Sequence, residues 1–241
     1  MSGLPEHELR RLRAVAADDG ELAGFVARRV GGEPLQYIEG SAPFGPFDLV
    51  VDDRVLVPRP ETEGLWELAA SLVDDPRVVV DLCTGSGAVA IALASSFPGA
   101  RVVGTDLSGA ALDVARMNGA THAPAVEWSQ GDLFGALDSA LAGRIDLVVS
   151  NPPYVAAAEW AGLPDDVRRE PHVALVAGPT GFEVLARIAT ESVAWLAPGG
   201  LVVCEIGETQ GAEAAEIFAA FGSIRIVADL SGRDRYLVAG T

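Results

Sequence analysis

Ser150-Asn151-Pro152-Pro153-Tyr154-Val155 follows Ile145–Val149, an apolar run that reads as a buried strand. The two prolines remove two backbone donors and fix two φ angles, and Asn151 before them is pushed to an extended backbone. A polar amide, two rigid residues and an aromatic therefore stand where a central strand leaves its sheet. Such a loop can hold hydrogen-bond acceptors in fixed positions. The Asn151 side-chain oxygen and the Pro152 carbonyl suit the two N–H groups of a planar –NH2, and Tyr154 offers a flat wall for it to pack on. An amide nitrogen is a poor nucleophile because its lone pair is delocalised. Accepting from both N–H groups orients that lone pair toward an electrophile.

The loop after an earlier strand is suited to hold the electrophile. Val78–Leu82 leads into Asp81-Leu82-Cys83-Thr84-Gly85-Ser86-Gly87-Ala88, and Gly85 to Ala90 fits G-x-G-x-x-A between a strand and a helix. Glycines there permit a tight turn and close approach of a ligand. Asp106 ends the next strand, where a carboxylate accepts from ribose hydroxyls. The pattern fits NAD or S-adenosylmethionine (AdoMet); the plain alternative is a tight β–α turn. The third strand ends in Gly131-Asp132-Leu133-Phe134. Asp132 suits an adenine amino group, with Leu133 or Phe134 over the ring; the plain alternative is a turn or helix-capping Asp. With AdoMet the chemistry is in-line methyl transfer to the cradled nitrogen. No strong general base is evident, so the proton goes to solvent after transfer.

These loops need elements to position them. Strands are expected over Val78–Leu82, Arg101–Thr105, Val126–Gln130, Ile145–Val149, Leu201–Ile206, Ile224–Ala228 and Arg235–Val238. Helices are expected over Glu61–Val73, Ala88–Ser96, Ala110–Asn118, Gly181–Leu196 and Gln210–Phe221. The alternation predicts an α/β fold with a doubly wound, seven-stranded, mainly parallel sheet. Ser231-Gly232-Arg233-Asp234 is too short for a parallel crossover, so the last strand is antiparallel. Residues 1–33 read as a short helical N-terminal segment with a break at Asp18-Asp19-Gly20 and a stop at Gly31-Gly32. Residues 34–60 read as a β-hairpin linker, with Phe47–Val51 and Arg54–Val57 as strands around Asp52-Asp53. Residues 61–241 are the main domain.

Composition narrows the function classes. The chain has 241 residues, 34 acidic and 17 basic, for a net charge of −17, which disfavours a phosphate backbone as substrate. Its apolar content of 49% argues against disorder. No apolar run approaches about 20 residues, and the start lacks a signal-peptide pattern, so a cytoplasmic protein is expected. Cys83 and Cys204 are too few for a disulfide framework or zinc site, and the three histidines are scattered, so no metal is expected.

Asn151-Pro152-Pro153-Tyr154 after such a glycine loop resembles amino-methyltransferases of adenine, guanine or glutamine amides. Further stretches narrow the resemblance. Pro34-Leu35-Gln36-Tyr37-Ile38-Glu39-Gly40, Phe44-Gly45, Phe47 and Val55-Leu56-Val57-Pro58-Arg59-Pro60-Glu61-Thr62-Glu63 are similar to the protein-(glutamine-N5) methyltransferases of peptide-chain release factors. So are Glu170-Pro171 with Ala174-Leu175, Glu205-Ile206-Gly207 with Gln210-Gly211, and Asp229-Leu230 with Gly232-Arg233-Asp234-Arg235. The resemblance runs from Pro34 to the C-terminus and implies a Rossmann-like class I methyltransferase fold. It implies that Cys83, Thr84, Gly85, Ser86 and Gly87 line the methionine part of AdoMet. Asp106 would hold the ribose and Asp132 and Leu133 would flank the adenine, with Asp81, Arg59 and Asn151 counted among the cofactor-binding residues. Asn151, Pro152, Pro153 and Tyr154 would grip the glutamine of a Gly-Gly-Gln tripeptide in a class-I release factor.

Two departures stand out. Cys83 occupies the place of a usual glycine, either narrowing the approach to the cofactor carboxylate or fitting because its φ is negative. About 33 residues precede Pro34, enough for two short helices where members carry a helical domain. That opens the reading of a short-headed paralogue with another protein target. Two other functions compete: an amino-methyltransferase of adenine N6 or guanine N2 in RNA or DNA, for which a basic rim beside Tyr154 would speak, and a non-catalytic AdoMet-binding module.

Overall fold

Strict alternation of apolar side chains on strands buried from both sides splits the interior into two cores. A computed structural model describes residues 3–241. Seven strands form one sheet: β3 (Val78–Leu82), β4 (Arg101–Asp106), β5 (Glu127–Gln130), β6 (Ile145–Ser150), β9 (Leu196–Glu205), β10 (Ser223–Ala228) and β11 (Asp234–Gly240). The order is β10-β11-β9-β6-β3-β4-β5, with β11 antiparallel to both neighbours and the other pairs parallel. Val80, Leu82, Val148, Val202 and Cys204 face one core, where α8 (Glu183–Ser192) and α9 (Gly211–Ile217) supply Leu185, Ile188 and Ala214. Val79, Leu147, Val149 and Val203 face the other, against Leu65 and Ala69 of α4 (Pro60–Leu72) and Ala88–Leu93 of α5 (Ala88–Ser96). The doubly wound fold expected from the alternation is present, including the antiparallel last strand.

The head of the chain folds as α1 (Glu6–Val15), α2 (Asp19–Val30) and α3 (Leu35–Glu39), joined by Leu12, Leu22, Leu35 and Ile38. The break expected at 18–20 lies slightly earlier. The Asp18 side chain accepts from the Glu21 N–H at 2.8 Å while Glu21 accepts from the Ala17 N–H at 2.6 Å. This reciprocal cap draws Asp19 and Gly20 into the first turn of α2.

The hairpin is displaced from the expected place. Its strands are β1 (Ser41–Phe44) and β2 (Phe47–Val50), turning at Gly45 with φ +52°. Residues 51–59 are not a strand. Arg54 folds back onto the Asp52 carboxylate, and Val51, Val55 and Val57 are buried against Ala111 and Val114 of α6 (Gly109–His122). Asn118 of α6 joins this segment to the glycine loop: its amide binds both backbone groups of Val50 and donates to the Ser86 carbonyl at 2.9 Å. Two short parallel strands, β7 (Val155–Ala156) and β8 (Val176–Gly178), with α7 (His172–Leu175), complete the segment after β6.

The outer strand pair is locked by Trp128 of β5. A Cβ at Gly104 would stand 2.6 Å from its ring. Gly104→Ala is expected to destabilise the protein by about 1–3 kcal/mol, because a rigid indole cannot yield cheaply. Urea denaturation measures this, and an unchanged midpoint would show that Trp128 has room to move.

Candidate active site

The carboxyl ends of β3, β4, β5 and β6 open into one cavity of about 310 Å³, the usual ligand position for such a sheet. The glycine loop forms its floor. Gly85 and Gly87 have φ +56° and +84°, and a Cβ at Gly85 would meet no atom within 4 Å, so a ligand can approach this backbone. Asp81 is fully buried and accepts from the Thr84 hydroxyl and, at 3.1 Å, from the Ala90 N–H. Its carboxylate thus braces the loop against the start of α5. Burial lifts its pKa to about 7.

Asp106 accepts from the Gly85 N–H at 2.9 Å and the Ser108 N–H at 2.8 Å, one on each oxygen. Each oxygen keeps a lone pair for a ligand hydroxyl. Cys83 has φ +58°, which removes the negative-φ account of why cysteine fits there. An L side chain pays roughly 1–2 kcal/mol in this region, which is why glycine is the easier occupant. The thiol lies against the cavity, and burial raises its pKa, leaving a neutral group.

The third loop differs in part from expectation. Leu133, at φ +48°, lines the cavity. Phe134 does not; it is buried deeper in the same core, stacked on Trp195 with ring centroids 5.8 Å apart. Both belong to one core cluster, and Leu133 alone of the two reaches the cavity from it. Asp132 is exposed and paired with Arg187 of α8 at 2.8 Å.

The fourth loop separates into two parts. Asn151 and Pro153 line the cavity. Pro152 is buried, and the Tyr154 side chain, expected as a wall for the planar –NH2 group, lies outside the cavity lining. Gln210 Nε2 donates to the Tyr154 carbonyl at 3.0 Å as the chain turns toward β7. Burial raises the Tyr154 hydroxyl to about 12. Asn151 Nδ2 donates to Thr62 Oγ1 at 3.1 Å, and Thr62 donates to the buried Glu205 carboxylate at 2.8 Å. Among the described residues no donor reaches Asn151 Oδ1 or the Pro152 carbonyl. These are the two acceptors expected from sequence.

Arg59 also reaches the cavity, but it is spoken for: Glu170 takes its guanidinium on one oxygen and the Val57 N–H, at 2.9 Å, on the other. Burial raises the Glu170 pKa even with Arg59 beside it. Thr62 and Glu205 stand in stretches that carry the resemblance but have no role assigned from sequence, and Arg187 is not singled out at all. Glu205 carried a signal, a carboxylate closing the apolar run Leu201–Cys204; Arg187 carried none.

The three arginines on the cavity wall, Arg54, Arg59 and Arg187, all pair with carboxylates, which leaves none of them free for a pyrophosphate. A carboxylate for a diol, an open glycine and an apolar wall fit AdoMet better than a dinucleotide. The fold and cavity therefore define a class I AdoMet-dependent methyltransferase. Residues 66–162 match the Methyltransferase small domain family. Proteins named release factor glutamine methyltransferase are similar over most of the chain. The one from Chlorobaculum tepidum is 43% identical, covering 90% of this chain and 79% of its own. That of Mycolicibacterium smegmatis is 42% identical, covering 95% and 84%. A solved methyltransferase from Pyrococcus furiosus shares the fold with a TM-score of 0.61 at 19% identity, covering 90% of this chain and 98% of that one. The chain belongs to the release factor glutamine methyltransferase family.

Asp106→Ala is expected to weaken AdoMet binding by more than about tenfold, roughly 1.4 kcal/mol. Asn151→Ala is expected to abolish turnover while sparing most of that affinity. Calorimetry with each variant decides: unchanged affinity in the first removes the ribose assignment, and equal losses in the second make Asn151 a cofactor ligand.

Proposed function

We propose that this chain methylates the side-chain amide nitrogen of the glutamine in the Gly-Gly-Gln tripeptide of a class-I peptide-chain release factor. The observation that carries the reading is the pair of free acceptors, Asn151 Oδ1 and the Pro152 carbonyl, on a rigid loop beside the cavity. Two acceptors are what the two N–H groups of a primary amide require. Bound AdoMet supplies an electrophilic methyl on its sulfonium. The chain's own residues orient the nitrogen and so the direction of its lone pair. The N–C bond forms as the S–C bond breaks, and the amide proton leaves to solvent.

Three further parts of the reading have support in the geometry. Asp106 is assigned to the ribose, Leu133 to one face of the adenine, and Thr84, Gly85, Ser86 and Gly87 to the methionine part. The helical segment 1–33 and the linker 34–60 are assigned to the substrate side of the domain 61–241. There Arg29 stands 3.6 Å from Asp166, and Arg169 donates to the Gly31 carbonyl at 2.8 Å. A nucleic-acid substrate is disfavoured, because Arg168 is paired with Asp165 and Arg169 is turned to that carbonyl, leaving neither for a basic rim. A cytoplasmic location fits a release factor as substrate, and no helix among the described residues is long and apolar enough to cross a membrane.

Incubation with AdoMet and a class-I release factor, read by peptide mass spectrometry, tests the proposal. One added methyl on the Gly-Gly-Gln glutamine is expected. An unmodified release factor, with AdoMet binding shown in parallel, would move the search to another protein amide.

A further inference from the structure

An acceptor cradle works only if the Asn151 amide points its oxygen, not its NH2, at the substrate. The two ends of an amide are alike in shape, so packing alone cannot choose between them. Hydrogen bonding can. Thr62 Oγ1 stands between two partners, 3.1 Å from Asn151 Nδ2 and 2.8 Å from Glu205 Oε2. A carboxylate has no proton to give, so the Thr62 hydroxyl must donate to it. The Thr62 oxygen is then an acceptor for Asn151, which turns the amide NH2 inward and leaves Oδ1 open. We propose that Thr62 and Glu205 are positioning residues that set the polarity of the Asn151 amide, through a one-directional hydrogen-bond relay from a buried carboxylate. The inference rests on the reading of Asn151 as the acceptor for the substrate amide.

The burial of the relay supports this role. Thr62 is 5% exposed and Glu205 2% exposed. Among the described residues Thr62 is the one side chain that donates to Glu205. A buried carboxylate held by a single neutral hydroxyl is a poor stabilising device, because removing a charge from water costs several kcal/mol. Polarity is what it supplies that a neutral group would not. Arg235 and Tyr236 on β11, Glu61 on α4, Arg59 and Tyr154 are the other charged or titratable groups acting on it. Burial outweighs the two arginines and lifts Glu205 to about 7. On protonation Glu205 gains a proton to donate, the direction of the relay is no longer forced, and the amide can present NH2 to an –NH2 substrate. Activity that depends on the relay is therefore lost as pH falls through this range.

The polarity is read without turnover by NMR of the Asn151 side-chain amide, identified by its absence in Asn151→Ala, in protein saturated with AdoMet. The resonance is expected to titrate around pH 7 in the wild type and to stay flat in Glu205→Gln. A resonance that does not move, or moves equally in both, overturns the proposal. In the methylation assay Thr62→Val is expected to lower kcat at least fivefold with AdoMet affinity retained, and Thr62→Ser, which restores the hydroxyl, to recover most of it. A smaller loss in Thr62→Val, or Thr62→Ser no better than Thr62→Val, also overturns it. A wild type that binds AdoMet but leaves the release factor unmethylated removes the substrate reading alone, and the NMR experiment still decides on the relay.

Discussion

The register between β3 and β6 governs the site. Leu82 lies beside Ser150, and the Ser150 hydroxyl donates to the Leu82 carbonyl at 2.8 Å. The glycine loop leaves one strand and Asn151 leaves the other at the same level. A slip of one residue would exchange the faces that a strand gives to the two cores, so both cores enforce the alignment, through Val80 and Val148 on one side and Val79 and Leu147 on the other. Positioning of donor and acceptor thus follows from hydrophobic burial of two adjacent, paired strands. This is how a site made of loops gains the precision of a sheet.

A second constraint closes the site from the side. The chain between Pro58 and Glu63 is far in sequence from Glu170 and Glu205, yet each carboxylate meets it. Glu170 takes the Arg59 guanidinium and the Val57 N–H, and Glu205 takes the Thr62 hydroxyl. The two contacts do different work. Glu170 is an ion pair that ties the segment after β6 to the start of α4. Glu205 meets a neutral group. Both contacts fall on the same short segment, which is why stretches so separated in sequence belong to one site.

Much of this was legible because it rests on periodicity and local turn chemistry. Apolar β-branched runs marked the strands, and glycine followed by a helix marked the first loop. Asp106 and Asn151 stood at strand ends, where ligands bind. What escaped depended on packing or on long-range partners. Leu133 and Phe134 are apolar neighbours in one core, and no local pattern says that Leu133 reaches the cavity while Phe134 packs on Trp195. The hairpin was misplaced because Arg54–Val57 is as β-prone as a strand, while its valines are satisfied by packing on α6 rather than by a partner strand. Arg187 reaches Asp132 across 55 residues, a distance no local pattern spans.

Buried acidic groups tie these strands of argument together. In a chain with a net charge of −17, most carboxylates can remain in water at little cost. Asp81, Glu170 and Glu205 are instead taken into the interior, and burial raises the pKa of each. Glu170 lies behind Arg59, and Glu205 behind Thr62 and so behind Asn151, while Asp81 lines the cavity and takes the Thr84 hydroxyl. Desolvation makes all three expensive, so stability alone does not account for them. What they share is that, when ionised, each can only accept hydrogen bonds, and this fixes the direction in which the groups they hold must point.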